Sequence, residues 1–383
     1  MIYLDAAATA KYTNIDDIIV DAMTSAMKND WMNPSGLYAI KVKDKVDKCR
    51  ENIAKFIGAK SDEIYFTSGA SESNSWAIRG WVDANIDKSY IGIITTRIEH
   101  KSIMEAVKDA SSSVDVFYCD VDKVGLMNRR ALEEILYHCD RCLFLVSVHM
   151  ANNEIGTWQD IGKISKLVHA YGGILHVDAT QAFGHIPIDV DDLEIDMMSC
   201  SGHKISPVLR GIGFLYKRNG IDIKPLIYGS QEQGLRGGTE NTYGIIGLSK
   251  AIEYCDMHRE EIEKMYMKRD YFIDNLCHKF GCKLNGDSWN RLPNNINVTF
   301  PQNVTGETLL YVLALSGINV STGSACNSHE IKSSHVLKEI GLSDKDAMRS
   351  VRLTLPDDIT YEEIDYVIGE IDKAIKLIDL SGD

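Results

Sequence analysis

No stretch of this 383-residue sequence stays apolar long enough to cross a bilayer, which takes ~20 such residues in a helix. Hydrophobic residues make up 44% of the chain and charged ones 25%, the mix of a soluble globular protein. The opening Met1-Ile2-Tyr3-Leu4-Asp5 lacks a basic stretch followed by an apolar one. Neither a secretion signal nor a transit peptide is therefore expected, and the expected location is the cytoplasm. Positive charge is also short: 41 Lys and Arg stand against 55 Asp and Glu, a formal charge of −14. Phosphate backbones are bound through clustered cations and released counterions, so direct nucleic-acid binding is not expected. A tRNA or DNA substrate would arrive through a partner. The nine cysteines include one C-x-x-C pair, Cys139 and Cys142, but no second pair stands at zinc-ribbon spacing. Reduced structural thiols are expected, with no disulfide framework and no metal.

What is present points to an α/β protein. The length suits a large domain and a smaller one. From about residue 50 to 260, helical stretches alternate with short runs rich in β-branched and aromatic residues: Ile91 to Thr95, Val114 to Tyr118, Leu143 to Val148, Ile174 to Val177 and Ile212 to Tyr216. That alternation predicts a mostly parallel sheet covered on both faces. Asp160 opens one clear helix, Ile161, Ile164, Leu167 and Val168 line its apolar face, and Gly172-Gly173 ends it. Beyond about residue 260 a charged helix (Glu260 to His278) precedes strand-like Asn295 to Phe300, a helix at Glu307 to Leu315, strand Ser350 to Leu355 and a last helix from Tyr361 to Ile378. No repeat or low-complexity linker separates the two parts, so they are expected to pack together with a site in the cleft between them.

Three elements carry chemistry when taken together. Phe66-Thr67-Ser68-Gly69-Ala70-Ser71-Glu72 is a small-residue turn opening a helix, whose free N–H groups and positive dipole end suit a phosphate. Alone it is a capped helix start. Asp178 follows the apolar run ending His176-Val177 and suits a pyridinium nitrogen, although it reads equally as a helix cap. Lys204, in Ser201-Gly202-His203-Lys204 after Asp196-Met197-Met198-Ser199, can form a Schiff base with a carbonyl compound, or be a solvated surface charge. A phosphate cradle, a strand-end Asp and a strand-end Lys, in that order on one sheet, are what a pyridoxal 5'-phosphate (PLP) enzyme needs. Arg352, in Val351-Arg352-Leu353, sits on an apolar strand where a charge is costly unless paired, with a carboxylate ligand or a structural ion pair as partner. Cys326 stands in the polar stretch Ser321-Thr322-Gly323-Ser324-Ala325-Cys326-Asn327-Ser328, the setting of an accessible thiol.

These motifs, with Tyr3-Leu4-Asp5, Asn33-Pro34-Ser35, Glu99-His100-Lys101, Asn152-Asn153-Glu154-Ile155-Gly156 and Leu235-Arg236-Gly237-Gly238-Thr239-Glu240-Asn241, make the chain resemble cysteine desulfurases of the NifS/IscS type. These form part of the class V aminotransferase-like branch of fold-type I PLP enzymes. The resemblance implies a large PLP-binding domain over 16–258 and a small α/β domain from 1–15 and 259–383, which carries Cys326 and Arg352. It implies Lys204 as the Schiff-base lysine and general base, Asp178 on the pyridine nitrogen, and Asn153 and Gln181 on the ring-hydroxyl side. His100 would stack on the ring and move protons. Ala70, Ser71, Ser201 and His203 would hold the phosphate, with Thr239 reaching it from the neighbouring subunit of a homodimer. Arg352, Asn153 and Asn33 would bind the L-cysteine substrate. Cys326 would take its sulfur as a persulfide for an acceptor protein, in iron-sulfur cluster assembly, tRNA or DNA thiolation, or another sulfur pathway, and L-alanine would be released.

The chain departs from the family pattern in four places. These are Ala6-Ala7-Ala8-Thr9-Ala10-Lys11 near the start, the longer Ile205-Ser206-Pro207-Val208-Leu209-Arg210-Gly211 after the lysine, Asn327-Ser328-His329-Glu330-Ile331-Lys332 after the cysteine, and the end at Asp383. The short end leaves open an acceptor other than the iron-sulfur scaffold. Two other readings stand beside the desulfurase: a different PLP reaction on this fold, such as selenocysteine lyase, cysteine sulfinate desulfination or transamination, and a non-catalytic scaffold.

Overall fold

The computed structural model describes residues 1–36, 38–87, 90–138, 142–301, 304–322 and 333–381. In chain order its first half contains β1 (Ile2–Tyr3), α1 (Asn14–Asn29), α2 (Ile40–Phe56), β2 (Ile64–Thr67), α3 (Ala70–Asn85), β3 (Ile91–Thr96), α4 (Lys101–Ala110), β4 (Asp115–Cys119), α5 (Arg129–His138), β5 (Leu143–His149) and α6 (Ile161–Ala170). There follow β6 (Ile174–Asp178), β7 (Met197–Ser201), β8 (Gly213–Lys217), α7 (Thr242–Met257), α8 (Glu260–Phe280), β9 (Lys283–Leu284), β10 (Asn295–Thr299), α9 (Gly306–Leu315), β11 (Ile318–Asn319), α10 (His335–Glu339), α11 (Asp344–Met348), β12 (Ser350–Thr354) and α12 (Tyr361–Ser381). Among the described residues, no helix is long and apolar enough to cross a membrane.

Seven strands form the main sheet in the order β2-β8-β7-β6-β5-β3-β4. The neighbours from β7 to β4 are parallel, whereas β8 runs antiparallel to both β7 and β2. The sequence runs locate five of these strands to within a residue or so but give no direction. β8 turns back because the connection from β7, residues 202–212, holds a single short turn of helix at Gly202–Lys204, whereas a parallel neighbour needs a longer crossover, usually an α-helix. β2 was not read as a strand, since Ile64-Tyr65-Phe66-Thr67 is four residues long and merges into the turn that follows. Successive residues point to opposite faces and both faces are covered, which is why the strands read as unbroken apolar runs. Ile93, Leu145 and Leu215 join Trp76 and Trp81 of α3 in one core, while Ile94, Val146 and Phe214 join Ile53 of α2 and Leu248 of α7 in another.

The chain reverses its direction of travel across the sheet at β3, which has β4 on one side and β5 on the other. Loops leaving the carboxyl ends of β3 and β5 therefore part around a crevice, the usual ligand position in such sheets. A three-stranded antiparallel sheet, β12-β10-β9, lies beyond it with its own apolar cluster, in which Phe272, Ile296, Val298, Leu309, Val351 and Ile364 are joined by Leu4 from the other end of the chain. β1 pairs in parallel with β11, Ile2 opposite Ile318. Gly156 shows how closely the two sheets' loops approach. Its φ is +72°, and a Cβ there would stand 2.7 Å from Asn295 Cγ on β10.

One buried histidine ties the sheet's stability to pH. His176 on β6 is fully buried, its ring nitrogens each 2.9 Å from Ser147 Oγ on β5 and Ser199 Oγ on β7. Burial lowers its pKa to about 4. The unfolded chain thus takes up a proton near the ordinary histidine value that the native chain refuses, so this contribution is present above pH ~6.5 and lost as pH falls toward ~4. His149 has the opposite sign. Burial pushes its pKa down, but Glu99, 2.9 Å away, wins and raises it, so that contribution is lost as pH rises. From about pH 7 to about pH 5, His176 is expected to account for about 2 kcal/mol of lost stability. Urea midpoints of wild type and His176→Gln check this: the variant should lose less, and an equal loss contradicts the assignment.

Candidate functional site

The crevice is built from the ends of five strands. After β7 the chain makes a tight turn, Gly202 to Lys204, and Lys204 Nζ donates to Ala7 O at 2.6 Å and Ala8 O at 2.9 Å. Ala7 O also accepts from Gln181 Nε2 at 3.0 Å, so one carbonyl of the amino-terminal segment joins two of the expected site residues. Ala10 N donates to His203 O and binds the same segment to the lysine turn. The departure from the family pattern at residues 6–11 therefore falls on the site itself.

Asp178 ends β6 and is 5% exposed. Its Oδ1 accepts from the backbone N–H and hydroxyl of Thr180, and its Oδ2 from Asn74 Nδ2 at 2.7 Å. Asp178 thus caps the turn at Thr180 from the carboxyl end of β6. His100 follows β3 as the N-cap of α4, its Nδ1 accepting from Ser102 N at 3.1 Å. The residue keeps solvent exposure, yet the protein packed around its ring lowers the pKa, as does Lys204, against an upward pull from Asp178.

The turn before α3 forms a second wall. Ala70 and Ser71 begin the helix, and among the described residues their N–H groups take no hydrogen bond. Gly213 of β8 passes directly beneath: a Cβ there would lie 2.7 Å from Gly69 Cα. Ser201 Oγ is 2.7 Å from His203 Nδ1. The pKa of His203 is lowered to about 4, by burial first and then by Lys204, Arg210 and His100. Of these causes, burial opposes charge of either sign, while the Lys204 and Arg210 cations favour an anion in this corner. Ser71, His100, Lys101 and Ser102 line one cavity of about 590 Å³.

Arg352 lies on β12, 6% exposed, and holds an ion pair within the chain. Its Nη2 pairs with Asp5 Oδ1 at 2.6 Å and its Nη1 donates to Asn153 O at 3.0 Å. A guanidinium inside an antiparallel sheet needs a counter-charge, and the amino-terminal segment supplies it. Its Nε is buried and has no hydrogen-bond partner among the described residues. The Asn153 side chain makes no hydrogen bond among the described residues, whereas Asn152 shapes the turn by accepting from Glu154 N and Ile155 N.

Cys326 lies outside the described residues, as does Cys139. The chain on either side of 323–332 is described, and both flanks border the site. Ser321 pairs with Arg352 backbone to backbone, Ser334 Oγ donates to Glu154 Oε2, and His335 Nε2 is 3.3 Å from Glu99 O. Thr239 stands exposed on a loop, and Asn33 is exposed in the turn after α1, accepting from Ser35 N; among the described residues neither bonds to the Lys204 group. No group of three or more potential metal ligands occurs among the described residues. Sequence reasoning missed Asp5, Glu154, Ser102 and Ser334. Only the cost of an unpaired arginine on a strand hinted at Asp5.

The aminotransferase class-V family pattern matches residues 2–367. The "Cysteine desulfurase IscS" of Dictyoglomus turgidum is 41% identical over 381 residues, 98% of this chain and 94% of that protein. A solved "NIFS-LIKE PROTEIN" superposes with a TM-score of 0.89 at 34% identity, covering 98% of this chain and 99% of that one. A structure described as "SspA in complex with cysteine" gives 0.78 at 34% identity, covering 93% and 99%.

Proposed function

We infer the use of this site from one premise: the chain belongs to the aminotransferase class-V family. It is a PLP-dependent cysteine desulfurase that converts L-cysteine to L-alanine. The observation that carries the reading is the convergence of Lys204, Gln181, Asp178 and His100 on one crevice at the carboxyl ends of β3, β6 and β7. The residues fit the cofactor. Open N–H groups at Ala70 and Ser71 and the cationic surroundings of His203 suit its phosphate, and an Asp178 that still has lone pairs to offer suits a protonated ring nitrogen.

When bound, PLP supplies a carbonyl to join an amine and a ring that draws electrons from the adjacent carbon. Lys204 holds the carbonyl end, Asp178 the ring nitrogen, Asn153 and Gln181 the hydroxyl side, and His100 the ring face. Ala70, Ser71, Ser201 and His203 hold the phosphate, with Thr239 contributed by the other subunit of a homodimer. The exposed position of Thr239 supports that last assignment. Arg352 binds the substrate carboxylate through its spare Nε–H, beside Asn153 and Asn33. The Lys204 amine, when not joined to the cofactor, would be the base that takes the substrate α-proton. The Cys326 thiolate then attacks the substrate sulfur; an S–S bond forms as the C–S bond breaks, and the electron pair left on carbon takes up a proton to give alanine. The two flanks of 323–332 bordering Arg352 and Glu154 support this role for Cys326.

The working division is a large unit, 16–258, and a small unit from 1–15 and 259–383, supported by the separate apolar cluster that contains Leu4. The enzyme acts in the cytoplasm and hands sulfur to an acceptor protein. With L-cysteine and a thiol reductant, the cofactor-loaded protein should release alanine and sulfide in equal amounts. No product from loaded protein overturns the reading.

A further inference from the structure

Two residues with no part in the reaction above stand between two that have one. Asn74, fully buried on α3, has two amide hydrogens: one meets Asp178 Oδ2 at 2.7 Å, the other Ser102 Oγ at 2.9 Å. Ser102 Oγ in turn lies 2.8 Å from His100 Nδ1, the nitrogen that also accepts from the Ser102 backbone. Chemistry fixes the direction of every bond. An amide nitrogen only donates, so Asp178 and the Ser102 hydroxyl both accept from Asn74. A backbone N–H only donates, so His100 Nδ1 is an acceptor and carries no proton. The Ser102 hydroxyl, having accepted from Asn74, is free to send its own proton to Nδ1. The carboxylate sets the amide orientation as well, because the reversed amide would put Asn74 Oδ1 against Asp178 Oδ2.

We propose that Asn74 and Ser102 are positioning residues that transmit the ionised state of Asp178 to His100, holding its ring as the neutral tautomer with Nε2–H as its one remaining donor. Protonating Nδ1 would break the cap at Ser102 N and reverse the Ser102 hydroxyl, so the chain resists it. A neutral ring with a fixed proton can lie against a cofactor and pass on one proton at Nε2 without bringing another cation beside Lys204. The charged and titratable groups facing His100 are Asp178 from β6, Lys204 and His203 from the turn after β7, and Glu99 and Lys101 from its own segment. The two carboxylates favour a charged ring and the other three oppose it. The role of His100 in the reaction rests on the function proposed above, but the relay does not.

The test uses the cofactor-free protein with ¹⁵N-labelled histidine, His100→Gln identifying the signal. Wild type should show the Nε2–H tautomer and a titration midpoint below that of a free histidine. Ser102→Ala should raise the midpoint by ~0.5–1 pH unit, Asn74→Ala should raise it by less, and Ser102→Thr, which keeps the hydroxyl, should restore it. An Nδ1–H tautomer in wild type, or equal midpoints in wild type and Ser102→Ala, overturns the proposal. Failure to turn over L-cysteine would count against the function and leave these signals unchanged.

Discussion

Lys204→Ala is expected to stop alanine and sulfide production, with a fall of ~10³-fold or more, because one side chain performs two tasks. On the proposed assignment it anchors the cofactor covalently and is the base for the substrate α-proton, and among the described residues no other primary amine stands at the end of β7. The substitution is mild for the fold: the side chain is only half-buried, and the Nζ contacts include two carbonyls of the amino-terminal segment. Ala7 O keeps Gln181 as a donor, and Ala10 remains tied to His203, so the segment should hold its place. Borohydride treatment before denaturation should fix cofactor to wild type and leave none on the variant. Lys204→Arg should be equally inactive, since it keeps the cation but not the nucleophilic amine. Activity above about a tenth of wild type would mean that Lys204 is neither anchor nor base.

Cys326→Ser should leave cofactor binding intact and still lower sulfide release by ~10²-fold or more, since a hydroxyl cannot accept sulfur as a persulfide. Six of the other eight thiols are poor substitutes. Burial pushes Cys119, Cys255 and Cys282 up to about 12 and Cys200 well above the usual thiol value, and it also raises Cys49 and Cys277. At neutral pH they stay protonated and unreactive. With L-cysteine, the wild-type peptide containing Cys326 should gain the mass of one sulfur atom, and no other cysteine peptide should. Full activity in the variant would shift the assignment to a reaction that needs no thiol, such as cleavage of selenocysteine or a sulfinate.

The strands were legible because burial on both faces leaves unbroken β-branched runs such as Ile91–Thr96 and Leu143–His149. Strand direction was not, because it depends on what connects the strands. Lys204 and Asp178 could be singled out because each stands where a strand ends, whereas Gln181 came only with the family resemblance. The pairing of Arg352 with Asp5 spans 347 residues and leaves no local pattern. Asn74 and Ser102 were hidden for a different reason. A polar residue in the first turns of a helix ordinarily caps it or faces water, and only the packing of α3 against α4 shows that these two face each other.

The grip of the amino-terminal segment on the site carries a consequence for how the enzyme is made. Residues 1–10 leave the ribosome first, yet their partners come last: Ile2 pairs with Ile318, Leu4 O accepts from Thr354 N, and Asp5 meets Arg352. The large sheet can form during synthesis, but Ala7 cannot settle over Lys204 until nearly the whole chain has emerged. Such long-range closure is slow compared with local folding. The contacts that close the amino-terminal segment over the lysine turn are therefore among the last to form, and a nascent chain stalled before β12 would lack the Asp5–Arg352 pair that anchors the segment.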